Sequence, residues 1–428
     1  MRNCAAVRGV GVPIIYMHGV NTRSSDHFGP IQAYLKRIVA PAIAKDPGNV
    51  SVTAADWFSY CDPPKWEGIS RPRSVFLGQG AKLPVEYERD ALLDKIIDEA
   101  SVDRDAAPES NYTTGRTATP AASVRLDGLS AAELADLIAV AMPDPGADSL
   151  SRARVGIAAD AVAHDAEIRA RLTRAESSDE QLRIIADSVA VNVAGQSSML
   201  AAGPSDLFRG LKDRIGESLS RARSAPAASI SVLVGEFRGP LNALVTRFIG
   251  DVLYYMTQRG TADAPGPIPK VLLDQIVRAQ QNKQNRDGEP IVLLTHSMGG
   301  QIAYDTVTSF LPHSPGHQGI KIDFWCATAS QVGFFEELNM FLASSKANSK
   351  ATGRRTPFPV ANLGHWWNVW DHNDIISFTT KGILDGVDDE EFWTGMSLAA
   401  AHSGYLERPS FYRALSEKLK AVFPGRGV

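Results

Sequence analysis

The stretch EPIVLLTHSMGGQIAYD, Glu289 to Asp305, limits what this 428-residue chain can fold into more than any other. Ile291 to Thr295 is a short apolar run rich in branched side chains, the pattern of a buried strand. Ser297 follows at once, between His296 and Met298. Gly299 and Gly300 then open a second run, in which Ile302, Ala303, Val307 and Phe310 are spaced as one face of a helix. Strand, tight turn with a serine at its apex, then helix is a demanding local arrangement. It aims a hydroxyl out of the end of a sheet, and the first amides of the helix face any negative charge that develops there.

With its HSMGG core, this segment resembles the nucleophile elbow of the α/β-hydrolase fold, whose lipases and esterases carry GHSMGG at this point. The chain departs from that pattern at the first glycine, where Thr295 stands. The resemblance implies an α/β fold with a mostly parallel central sheet flanked by helices. It also implies a serine nucleophile at Ser297 and an oxyanion donor at the amide of Met298.

Upstream, Val12 to Met17 (VPIIYM) reads as a strand running into HGVNTR, His18 to Arg23. In the family an HG pair after an early strand begins the loop that gives the second oxyanion amide, here at Gly19 or Val20. His18 itself reads as a structural hydrogen-bonding residue rather than a base. Phe28 to Ala44 has helical period and Val50 to Phe58 reads as the next strand, giving a parallel crossover unit. Trp57 at its end reads as packing. Ser59 to Lys82 reads as a loop.

Composition shifts between about Leu92 and Ala228, where alanine, serine and charged residues dominate and no strand pattern appears. Tyr112 to Ala122 reads as a mobile loop. Ser130 with Glu133, and Ser178 with Gln181, have capping-box spacing ahead of apolar periodicity, and Gly195 is placed to end the second helix. Leu207, Phe208, Leu211, Ile215 and Leu219 form a third amphipathic series. The chain therefore divides into a first core part (1–91), a helical insertion (92–228) and a second core part (229–428). The resemblance suggests a cap or lid for the insertion; a solvated helical decoration is the alternative. Leu241 to Met256 keeps helical period and lacks a basic opposite face, which favours core packing over a membrane-surface role. Val271 to Ala279 reads as a helix and Ile320 to Thr328 as a strand, with Ser330 and Gln331 at its carboxyl end.

A serine hydroxyl needs a histidine base, and the base needs an acid to orient it. In the family the chain order is serine, acid, histidine. Trp366 to Trp370 reads as a strand with Asp371 and Asp374 in the loop after it. The resemblance favours Asp374, which precedes the aliphatic pair Ile375–Ile376. Asp371 is the alternative, with Glu336 or Glu337 a distant third. His402, in HSGY ahead of a closing helix with Phe411, Leu415 and Leu419, matches the family's base, whereas His313, His317, His365 and His372 lie elsewhere.

The 44 basic and 48 acidic residues give a formal charge of −4, which offers nucleic acid no basic footprint. Cys4, Cys61 and Cys326 form no closed disulfide set and have no metal spacing. The histidines show no HExxH or paired zinc spacing, so neither metal nor organic cofactor is expected. No apolar run reaches the roughly 18 residues of a spanning helix. A cytoplasmic location is the expectation, with export lacking a cleavable signal as the alternative. Taken together, the residues and the resemblance imply a serine hydrolase acting on carboxylic esters, small or lipid, with peripheral membrane contact left open. Two rivals remain: a catalytically silent binding or scaffold protein, and an acyltransferase or thioesterase with the same triad.

Overall fold

The computed structural model describes residues 13–19, 27–60, 125–142, 149–194, 204–224, 248–284, 289–396 and 401–427. Eight strands are seen among the described residues: β1 (Pro13–Met17), β2 (Ser51–Ala54), β3 (Gly260–Thr261), β4 (Ala264–Pro265), β5 (Val292–His296), β6 (Ile322–Thr328), β7 (Leu363–Trp370) and β8 (Asp388–Glu391). Six of them form one sheet in the order β2-β1-β5-β6-β7-β8, and β3 pairs with β4 in a small antiparallel ribbon. Every pairing in the large sheet is parallel. The protein is an α/β structure, with helices packed against a parallel sheet.

A parallel strand buried on both faces must be apolar throughout, and β1 is buried at all five positions. On one face Ile15, Met17, Leu293, Trp325 and Trp366 join a continuous core. The indoles of Trp325 and Trp366, neighbours across β6 and β7, stack at 4.3 Å between centroids. The other side is closed partly by the terminal helix Pro409–Val422, where Tyr412 stacks on Tyr34 at 4.4 Å and Phe411 lies parallel to Trp367.

The topology fixes where a site can form. From β1 the chain moves outward to β2, then returns past β1 to β5 and continues to β8 on the other side. The order thus reverses between β1 and β5. In open parallel sheets the crevice beyond the carboxyl ends of the strands at such a switch point is where ligands bind.

By its contacts the chain divides into two compact units, one of residues 1–81, 230–406 and 411–428, the other of residues 82–229 with 407–410. The second unit is helical over Ala131–Ala141, Ser149–His164, Ala166–Arg174, Ser178–Ala194 and Pro204–Ser224. Residues 407–410 belong with it because the Ser410 hydroxyl donates to Asp136 at 2.8 Å. Ser130 and Glu133 form the reciprocal capping box their spacing suggests. The second cap lies one residue earlier than the sequence spacing indicates: the Ser177 hydroxyl, not that of Ser178, accepts from the Glu180 amide at 3.2 Å. Gln181 is released from capping and turned inward, where its side chain accepts from the Leu126 amide and donates to Asp127 and to the Leu172 carbonyl.

Three further differences have physical causes. The strand expected over Val50–Phe58 is regular only at Ser51–Ala54, because the chain then turns so that Trp57 can cover the end of β1. The apolar stripe approaching Met256 is only partly core: Val252 and Tyr255 are buried while Ile249 and Leu253 are about half exposed. The edge strand β8, DDEE, carries no apolar signal at all. Its acids are satisfied on both faces, Asp388 and Glu390 by Lys418 and Asp389 by the Trp370 indole. Charge on an edge strand also discourages pairing with another chain. Gly195 and the segments Ser59–Lys82 (beyond residue 60), Tyr112–Ala122 and Leu241–Arg247 lie outside the described residues. Cys326 is a buried free thiol on β6. Among the described residues no helix is long and apolar enough to cross a membrane.

Candidate active site

Ser297 follows β5 directly and stands at φ +53°, in the left-handed region that a residue with a side chain rarely occupies. Two backbone contacts hold it there. Its amide donates to the Thr328 carbonyl on β6 at 2.9 Å, and its own carbonyl accepts from the Gly300 amide at 2.8 Å. The helix Gly299–Asp305 starts immediately after Met298, so the amides of its first turn have no partner within the helix.

Close approach explains the two glycines nearest the serine. A Cβ on Gly19 would stand 2.5 Å from Ser297 Cβ, and one on Gly299 would stand 2.6 Å from the Met17 carbonyl oxygen. The loop after β1 therefore lies directly against the serine, and the helix after it lies against the end of β1. Thr295, where the family has glycine, is fully buried. Its hydroxyl accepts from the Trp325 indole at 2.9 Å, so the side chain serves the core of the sheet.

His18 anchors the loop after β1. Its Nδ1–H donates to the Gly19 carbonyl at 2.8 Å, its Nε2 accepts from the Trp57 amide at 3.1 Å, and the Trp57 indole donates to the His18 carbonyl at 2.8 Å. The two rings stack at 5.3 Å. With both nitrogens engaged inside the protein, His18 is placed to hold the backbone rather than to move a proton.

At the carboxyl end of β7, the two candidate acids separate by their partners. Asp371 accepts from the Thr394 amide and hydroxyl at 2.7 and 2.6 Å and from the Asn373 amide at 2.9 Å, so it ties its own loop. Asp374 faces His402, whose Nδ1 lies 3.0 Å from each carboxylate oxygen. The Asp374 carboxylate also accepts from the Tyr405 hydroxyl at 3.3 Å and the Ile376 amide at 3.2 Å. Burial and the neighbouring Asp374 charge push the Tyr405 phenol far above its ordinary value, so it stays a donor. Glu336 is occupied by the hydroxyls of Ser344 and Thr356, both at 2.6 Å.

The remaining histidines have other partners. His313 bonds the Ser309 carbonyl, His317 the Ser314 hydroxyl, His365 stacks on Phe324 beside Asp388, and exposed His372 lies near Glu391. Val20 lies outside the described residues; Gly19, its neighbour, is the last residue described in that loop.

Ser297, Asp374 and His402 are each less than a tenth exposed. Two of their polar atoms, Ser297 Oγ and His402 Nε2, are buried and form no hydrogen bond among the described residues. Other buried polar atoms, among them Gln301 Oε1, Trp366 Nε1 and Asn368 Oδ1, also form none, so these two are set apart by their chemistry, a hydroxyl in a strained turn and the second nitrogen of an imidazole held by a carboxylate. His402 is tied to the elbow through His296: their ring centroids are 4.9 Å apart, and His296 Nε2 lies 2.6 Å from the His402 carbonyl oxygen. Sequence spacing singled out the serine, the acid and the histidine. It did not indicate His296 or Tyr405 as partners, although both sit inside the motifs that drew attention. No group of His, Cys, Asp and Glu among the described residues could hold a metal ion.

No protein-family model, curated protein or solved structure matches this chain.

Proposed function

We propose that the protein is a serine hydrolase that cleaves carboxylic esters through an acyl-enzyme. The observation that carries this reading is a strained, buried serine together with a histidine oriented by Asp374, each with its reactive atom free of hydrogen bonds among the described residues, to the other as to any third group. Strained backbone clusters at functional sites; Ala329 and Asn339 share the left-handed φ, and of the three only Ser297 carries a nucleophile-type side chain.

In this scheme Asp374 accepts from His402 Nδ1–H, which keeps Nε2 free of its proton and ready to accept one. Nε2 takes the proton of Ser297 as Oγ attacks the ester carbonyl carbon. The tetrahedral intermediate's negative oxygen is held by the amides of Met298 and Val20. Each such donor contributes about 3 kcal/mol to the transition state. The carbon–oxygen bond to the alcohol then breaks, and His402 returns the proton to the leaving oxygen. Water, activated by the same nitrogen, releases the acid and restores Ser297. The Asp374 carboxylate balances the imidazolium that forms twice in the cycle. Small-molecule or lipid esters are the proposed substrates.

Labelling with an alkyl fluorophosphonate tests the reading. Wild type should take up one equivalent and Ser297→Ala none. A folded wild type that takes no label, or a Ser297→Ala variant that labels equally, would end the proposal in favour of a silent scaffold. Parallel turnover of oxygen esters and thioesters, with and without an added alcohol, separates hydrolysis from acyl transfer.

A further inference from the structure

His296 precedes the serine and takes no proton in the scheme above, yet it is the side chain that spans from the elbow to the base. Its Nε2 approaches the His402 main-chain carbonyl at 2.6 Å across 106 residues of sequence. A carbonyl can only accept, so Nε2 carries a proton, and burial, which disfavours the charged ring, leaves Nδ1 bare. On that other edge, a Cβ on Gly19 would stand 3.1 Å from His296 Nδ1. The imidazole therefore fills the space between the loop after β1 and the segment that carries His402. The two imidazoles are tilted by 55° at 4.9 Å, in van der Waals range without stacking face to face.

The His402 ring needs two constraints to keep Nε2 aimed at an oxygen. Asp374 holds the ring through Nδ1. That bond does not fix where the backbone of His402 sits, and the residues just before it (397–400) lie outside the described structure. We propose that His296 is a positioning residue for the base: its Nε2–H bond to the His402 carbonyl locks the histidine's backbone to the turn that carries Ser297. The inference rests on the serine-hydrolase reading and assigns a role that reading leaves empty.

The surroundings suit a permanently neutral donor. Burial, with the nearby His402 next, brings His296 down to about 3, and His18 adds to this, while the carbonyl bond and Asp374 act in the opposite direction. A ring that stays neutral at working pH adds no positive charge beside the imidazolium formed on His402. It also keeps the same donor through the cycle.

Three variants test the role: His296→Phe, which keeps a flat ring but has no donor; His296→Asn, whose amide falls short of the carbonyl; and His296→Gln, whose longer amide can reach it. Turnover of a short p-nitrophenyl ester and the rate of fluorophosphonate labelling are measured with thermal midpoints. A displacement of about 1 Å in a catalytic group lowers rate roughly a hundredfold. Accordingly, His296→Phe and His296→Asn should lose about tenfold to a hundredfold in kcat with KM within about threefold. Both should still label completely, but slowly, and His296→Gln should recover most of the rate. If His296→Phe does not fold, the contrast between His296→Asn and His296→Gln reads the same contact. Equal kcat in His296→Asn and wild type, or no difference between the Asn and Gln variants, overturns the positioning role and leaves the hydrolase reading intact. A wild type that takes no label overturns that reading, and the inference with it.

Discussion

Ser297 should be less stable than its own replacements, and the size of the effect follows from two observations. The residue sits at φ +53°, where an L side chain costs about 1–2 kcal/mol relative to ordinary backbone. Its Oγ is buried with no hydrogen-bond partner among the described residues, and a buried polar group left unpaired costs about 1–3 kcal/mol. Ser297→Ala removes the hydroxyl and keeps the strain, so it should stabilise the protein by about 1 kcal/mol, at the lower end of that range. Ser297→Gly removes both. Glycine's greater freedom in the unfolded chain takes back about 0.5–1 kcal/mol, leaving a gain of about 2 kcal/mol over wild type. Urea unfolding followed by tryptophan fluorescence is a suitable assay, since Trp325 and Trp366 lie in the core behind the elbow. The order expected is glycine, then alanine, then serine, with ester turnover abolished in both variants. A Ser297→Ala variant less stable than wild type would refute the reasoning, because it would mean that the hydroxyl is bonded and holds the turn. A glycine variant less stable than alanine would show that the turn is not strained.

Gly19→Ala should lower kcat about a hundredfold, since a Cβ 2.5 Å from Ser297 Cβ must push the loop and the serine apart by about 1 Å; unchanged turnover in a folded variant would refute the close approach. Asp374→Asn should lower kcat by roughly three to four powers of ten through loss of the histidine's orienting carboxylate. Asp371→Asn, which disturbs the bonds from Thr394 and Asn373, should instead destabilise the fold by about 1–3 kcal/mol and keep kcat within about tenfold, as parallel melts and rates would show. The pH dependence of stability should carry a His296 signature. Its folded value of about 3 lies below the ordinary 6.5, so the unfolded chain binds the proton more readily. That contribution is complete above pH 6.5 and is lost as pH falls toward 3, at up to about 1 kcal/mol per pH unit. His296→Gln should flatten the slope of unfolding free energy between pH 6.5 and 5; an unchanged slope would count against the partly buried neutral ring.

What the sequence made legible is what local pattern can encode. The parallel strands β1, β5, β6 and β7 are apolar along most of their length because both their faces are covered, and such runs stand out from the surrounding chain. The Ser130–Glu133 box was legible because both partners lie within one turn. The elbow was legible because close packing admits only a small residue at Gly299, which sits beside the serine in the sequence, and at Gly19, which follows closely on the first apolar strand. By contrast β8 was hidden, because three of its four acids are satisfied by Lys418 and the indoles of Trp367 and Trp370, which are distant in the chain. The Ser178 spacing misled because Gln181 met a stronger demand, three hydrogen bonds inside the helical unit, than capping could supply.

The candidate site divides along the same line. Residue type and order could nominate Asp371 and Asp374 equally well, since both follow β7 within four positions. The resemblance leaned to the second through Ile375–Ile376, and the fold separates them by giving the first the amide and hydroxyl of Thr394 and the second the imidazole of His402. Thr295 makes the same point from the other side. Read as a lost glycine it suggests decay of the motif, but its hydroxyl answers the Trp325 indole, which would otherwise be buried without an acceptor. The substitution is thus accounted for by β6, a strand that begins 27 residues later, while the strained turn two residues downstream is kept. Ala329 and Asn339 hold the same left-handed φ without a reactive side chain, so the proposed nucleophile rests less on strain alone than on where the strained residue stands, at the end of β5, against Gly19 and directly ahead of the helix that opens at Gly299.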